Sequence, residues 1–121
     1  MIRELFAVGL GGAAGSIVRY MLSVWLLGGH TLLGFPAGTF TVNAAGSLLI
    51  GILLETTNSA AAGWLLIAGF CGGFTTFSTF SNDGLILIKQ EFYGMFALYT
   101  LLSITLGVLA AFAGGAFGRC I

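Results

Sequence analysis

Charge is nearly absent from this sequence of 121 residues, which carries four basic and four acidic side chains, 7% of the total. Soluble domains hydrate their surfaces with about 25% charged residues, so a solvated globular fold is excluded. The formal net charge is zero, and nucleic acid is therefore not an expected partner. Histidine occurs once, at His30 in a loop, and the two cysteines, Cys71 and Cys120, have neither ligand spacing nor a histidine partner. Neither a metal cluster nor a disulfide is expected from them. No nucleophile, base and orienting group can be gathered within one span, which argues against an enzyme. Proline also occurs once, at Pro36, where it can start a helix.

Hydrophobic residues make up 58% of the chain, and the mean hydropathy is +1.07. These values describe an all-α integral membrane protein. Spanning the hydrocarbon takes about 20 apolar residues, and four stretches qualify: 4–27, 37–56, 60–88 and 92–118, one channel-sized domain over 1–121. They are separated by GGHTLLGFP, ETTNS and KQE. The first stretch is too long and glycine-rich for a signal core, so it is expected to remain as a helix. The third exceeds what a straight span requires and holds Gly69, Gly72 and Gly73. Glycine costs about 1 kcal/mol against alanine in a helix interior, so this helix is expected to break near 72–76. Asn82-Asp83-Gly84 reads as a turn on local grounds.

Four short helices cannot surround a pore, so association of copies is expected. Gly11xxxGly15, Gly107xxxAla111 and Gly114xxxGly118 allow close helix approach, either within a chain or between chains. With both termini on one side, that side holds Arg3 and Arg119 while the other holds Arg19 and Lys89. Orientation follows a Lys/Arg imbalance, and here there is none. Two oppositely inserted copies could then pair about an axis in the membrane plane.

Residues 69–81, GFCGGFTTFSTFS, are unsuited to an inert lipid-facing helix. Irregular backbone at membrane depth survives only where protein buries it or where it lines a watery path. Phe77 and Phe80 share a helical face, interleaved with Thr75, Thr76, Ser78, Thr79 and Ser81. Ring edges are electropositive, so edges and hydroxyl donors together can surround an anion without a fixed charge. Tyr99 and Ser103, one turn apart, could extend that track. Asn43, midway along the second span, needs polar partners; a helix-to-helix hydrogen bond and an NH2 facing a permeating anion both fit. Arg19 is the only cation inside a span, consistent with snorkelling to the interface or with concentrating anions at a pore mouth. Gly9-Leu-Gly11-Gly12-Ala-Ala14 mimics a dinucleotide fingerprint but lacks the strand and the acidic residue.

Three pieces, GGAAGSIVRY at 11–20, GTFTVNAAGSLLIG at 38–51 and GFCGGFTTFSTFS at 69–81, occur in order at four-helix spacing. In these the chain resembles the Fluc (CrcB-type) fluoride channel family along essentially its whole length. The resemblance implies an antiparallel, dual-topology homodimer in the bacterial inner membrane with two parallel fluoride pathways. Phe77 and Phe80 would line them, Asn43 and Ser81 would supply donors, Tyr99 and Ser103 would belong to a polar track, and Thr39 and Arg19 would sit toward the aqueous entrance. The backbone carbonyls of Gly72 and Thr75, doubled by the two-fold axis, would hold a central structural Na+. Asp83 stands where the family commonly carries Glu, which weakens any vestibule contact that depends on reach.

The main rival is a small proton-coupled multidrug exporter, also with four helices and dual topology. Such exporters need an intramembrane carboxylate, and Asp83 is the sole candidate because Glu4, Glu55 and Glu91 lie at the edges of the spans. A non-transporting assembly subunit is a third class, and it predicts no flux.

Overall fold

The computed structural model describes residues 1–26 and 35–121. The expected loop around His30 and the end of the first span at residue 27 lie outside these residues. Among the described residues, four helical stretches are long and apolar enough to cross a membrane: Ile2–Val24, Ala37–Thr56, Ala60–Lys89 and Tyr93–Cys120. Helix α1 (Ile2–Tyr20) continues in wider π-type turns over Met21–Leu26. Helix α2 (Ala37–Thr56) starts directly after Pro36, whose carbonyl accepts the Phe40 amide at 3.1 Å. Proline lacks an amide that the first turn would leave unpaired in any case.

The third span has two parts. Helix α3, residues 60–74, begins under a cap from Ser59, whose hydroxyl accepts the Ala62 amide at 3.1 Å, and runs through wider turns over Gly63–Cys71 to Phe74. Thr75 and Thr76 are extended, with ψ of 157° and 122°. Helix α4 (Phe77–Lys89) then starts under a second side-chain cap, with Thr76 Oγ1 accepting the Thr79 amide at 3.1 Å. It closes with Glu91 at φ 63°, while the Phe92 amide reaches back to the Leu87 carbonyl at 2.9 Å. This is a Schellman-type end carried by a non-glycine residue. Helix α5 (Tyr93–Cys120) follows.

Two backbone-close seams organise the bundle. In the first, α1 lies on α3: a Cβ at Gly11 would meet Leu65 O and Phe70 N, and one at Gly15 would meet Phe70 O and Phe74 N. In the second, α2 lies on α5, with Gly51 against Ala111 O, Gly114 against Leu48 O and Gly118 against Ile52 O. The Gly11xxxGly15 and Gly114xxxGly118 motifs are thus used inside one chain, where close approach brings many weak van der Waals contacts. At one end Arg119 Nη1 meets Glu55 Oε1 at 3.2 Å, tying the C-terminal ends of α5 and α2.

The expected turn at Asn82-Asp83-Gly84 is corrected by the structure: all three residues are helical within α4. Tertiary contacts outweigh their turn propensity. Gly84 is buried with Phe96 pressed against it, a Cβ there falling 3.0 Å from Phe96 Cε1, and Asp83 is engaged by α5.

Candidate functional site

The two extended threonines free backbone groups that a continuous helix would pair. In such a helix the carbonyls of Gly72 and Thr75 would take the amides of Thr76 and Thr79. Here the Thr76 amide donates to Asn43 Oδ1 at 2.8 Å and the Thr79 amide to Thr76 Oγ1 at 3.1 Å. Asn43 Nδ2 also donates to the Thr76 carbonyl at 3.0 Å, so its amide pairs with both polar groups of one extended residue. Of the two arrangements open to Asn43, the helix-to-helix bond is present, and it uses one of the two amide hydrogens. The Thr75 hydroxyl folds back to the Cys71 carbonyl at 2.9 Å. Arg19 Nε donates to the Gly73 carbonyl at 3.1 Å, with Ser16 Oγ at 3.5 Å from the same oxygen.

Beside the break lies a cavity of about 590 Å³. Its walls combine Asn43, Ser47, Gly72, Thr75, Thr76 and Ser103 with Phe77, Phe80, Cys71 and apolar side chains. Phe77 is 79% exposed on its edge. From it an aromatic line runs inward: Phe77 to Phe80 with ring centroids 5.8 Å apart, Phe80 to Tyr99 at 5.1 Å, Tyr99 to Phe35 at 5.4 Å edge-on, and Phe35 to Phe40 at 5.1 Å. Tyr99 is fully buried, and its hydroxyl donates to Asp83 Oδ2 at 3.2 Å. Asp83, despite its short side chain, thus reaches α5.

The break therefore gathers Asn43, Phe77, Phe80, Ser103, Gly72 and Thr75 around one cavity, with the Tyr99 ring tilted against Phe80. Thr39, Ser81 and Arg19 are not among its lining residues. Arg19 reaches the break from the α1 side instead. Sequence reasoning missed Ser47, whose hydroxyl donates to the Asn43 carbonyl at 2.8 Å and which its spacing of four from Asn43 could have flagged. It also missed Thr100. Thr100 Oγ1 and Ser103 Oγ are the buried side-chain polar atoms without a partner among the described residues, and their spacing of three places them on one helical face.

The family model described as CrcB-like protein, Camphor Resistance (CrcB), matches residues 6–115. The chain belongs to this family. Among similar relatives, a protein of Bacteroides fragilis is 44% identical over 98% of both chains. One of Agrobacterium fabrum is 43% identical over 93% of both, and one of Phocaeicola vulgatus is 40% identical over 93% of this chain and 96% of its own. Each of the three is named a fluoride-specific ion channel, FluC. The matched residues cover the α1–α3 seam, the break, and the α2–α5 seam as far as Gly115.

Proposed function

We propose that the protein is a fluoride-selective ion channel, not an enzyme, giving passive export of cytoplasmic fluoride across the bacterial inner membrane. The observation that carries this reading is the cavity itself, whose lining combines two phenylalanines with an amide, hydroxyls and a broken helix. Fluoride is small, strongly hydrated and a strong hydrogen-bond acceptor. A path that strips its water must present donors and electropositive ring edges at close range, each too weak to trap the ion. Phe77, Phe80, Asn43 and Ser103 supply such groups at the cavity, and Tyr99, Ser81, Thr39 and Arg19 extend the path toward its ends. Chloride, being larger, is excluded by the narrow ring-lined bore. The membrane potential, about 2.3 kcal/mol per charge per 100 mV, drives an anion out of an inside-negative cell without a coupled ion.

The functional unit is an antiparallel dual-topology homodimer with two pathways. Its support is the balance of Lys and Arg between the two ends and a cavity that one chain leaves open beside the exposed Phe77. A structural Na+ fits the carbonyls of Gly72 and Thr75. Both have lost the amides a helix would give them, and Gly72 faces open space, with nothing within 4 Å of a Cβ placed there. When bound, the cation supplies positive field beside an anion path; the chain's own part is to present the oxygens.

The rival exporter requires a carboxylate that exchanges protons with the path. Asp83 is instead held by the buried Tyr99 hydroxyl. Purified protein in fluoride-loaded liposomes, followed with a fluoride electrode, separates the readings: a channel releases fluoride without a pH gradient, an exporter only with one, and an assembly subunit not at all.

A further inference from the structure

We infer that Arg19 is a positioning residue that caps the broken helix from α1, rather than serving only as a mouth charge. Gly73 O would accept the Phe77 amide in a continuous helix, and the extended Thr75 and Thr76 remove that donor. An orphaned carbonyl at membrane depth must find another. Arg19 Nε supplies it at 3.1 Å, with Ser16 Oγ a more distant second donor at 3.5 Å. Its presence there follows from the α1–α3 seam. Gly11 faces Gly69 and Phe70, Gly15 faces Phe70 and Phe74, and Arg19 is one turn further on, where α3 has ended. The end of α3 carries partial negative charge, which favours a guanidinium. Arg19 makes no ion pair among the described residues, so this carbonyl is its fixed partner.

The bond fixes Gly73, which lies in the chain between Gly72 and Thr75. Through it Arg19 sets the direction of the Gly72 and Thr75 oxygens, a consequence that rests on the cation reading proposed above. The capping role itself does not.

Three substitutions separate donor from charge. Arg19→Gln places an N–H at the side-chain position of Nε and removes the charge. Arg19→Lys keeps the charge and moves the donor one bond outward. Arg19→Met removes both at similar length. Hydrogen exchange of the Thr75, Thr76 and Thr79 amides in detergent-solubilised full-length protein is the first readout. The Met variant is expected to exchange at least about ten-fold faster at these amides, with Gln restoring protection to within about two-fold. The second readout is the Na+ concentration giving half-maximal fluoride efflux, expected to rise for Met and to return for Gln. Equal exchange in Gln and Met, or protection recovered by Lys alone, overturns the capping role. If the wild type shows no Na+ dependence, the cation reading fails while the exchange data still decide the role of Arg19.

Discussion

The two halves of the third span have different neighbours and opposite designs: α3 packs on α1, and α4 packs on α5. In α3 two of the glycines are packing surfaces: Gly69 and Gly73 take the backbone of α1 at contact distance, and Phe74 is buried. In α4 the corresponding length buries only Gly84 and Leu87, opens on a run of hydroxyls, and leaves Phe77 almost fully exposed. The first half is an anchor and the second is a wall. Two extended threonines separate them; of the polar groups freed there, both of Thr76 are taken up by Asn43 from α2 and the Gly73 carbonyl by Arg19 from α1. Glycine content alone therefore does not mark the functional segment of a membrane helix. What marks it is backbone that needs side chains from other helices to complete its hydrogen bonds.

The sharpest way to break this contrast uses two adjacent glycines. A Cβ at Gly73 would lie 3.0 Å from Gly12 Cα and closer still to its carbonyl oxygen, whereas one at Gly72 would meet nothing. Overpacking against backbone costs up to about 3 kcal/mol or more. Gly73→Ala should therefore lower the melting temperature in detergent steeply or abolish monodisperse protein. Gly72→Ala should leave the single chain intact and weaken only the association of copies, read by size-exclusion chromatography. Equal effects would dissolve the distinction between anchor and wall.

Asn43→Ala comes next. It leaves the amide and carbonyl of Thr76 without partners, and each buried unsatisfied group costs about 1–3 kcal/mol. A lower melting temperature together with loss of fluoride efflux is expected. Phe80→Met should separate those two readouts. The replacement stays apolar and flexible enough to fill most of the space, at a cost of about 1.5 kcal/mol, but the aromatic ring beside Tyr99 is gone, so efflux falls while melting changes little. Unaltered efflux in both variants would remove the assigned lining. The smallest effect belongs to the end of α4, where Glu91 holds φ 63°. Glu91→Gly relieves that conformation and should stabilise by about 1 kcal/mol without changing efflux.

Much of this was legible in the residues. Spans of the right length follow from apolar runs, α2 starts where Pro36 permits, and Asn43 stands out because an amide at membrane depth must be answered. Other features depend on partners far along the chain. The glycines at 69, 72 and 73 drew attention to a break near 72–76, but they are helical themselves, and extended backbone falls on Thr75 and Thr76, where Asn43 can pair with it. Asn82-Asp83-Gly84 carries turn residues and is helical because α5 takes up Asp83 and Gly84. Arg19 reads as a snorkelling side chain or a mouth charge until the freed Gly73 carbonyl is placed beside it. In each case local propensity gave way to a tertiary contact between residues 33 or 54 positions apart, as for Asn43 with Thr76 and Arg19 with Gly73, or 16 apart, as for Asp83 with Tyr99.

Fluoride released from liposomes containing the purified protein, with no pH gradient and a potassium-set membrane potential, tests the central claim most directly. Rapid efflux that follows the electrical gradient while trapped chloride stays inside is the expected result. Vesicles that retain their fluoride, or that release it only when a proton gradient is imposed, would contradict it.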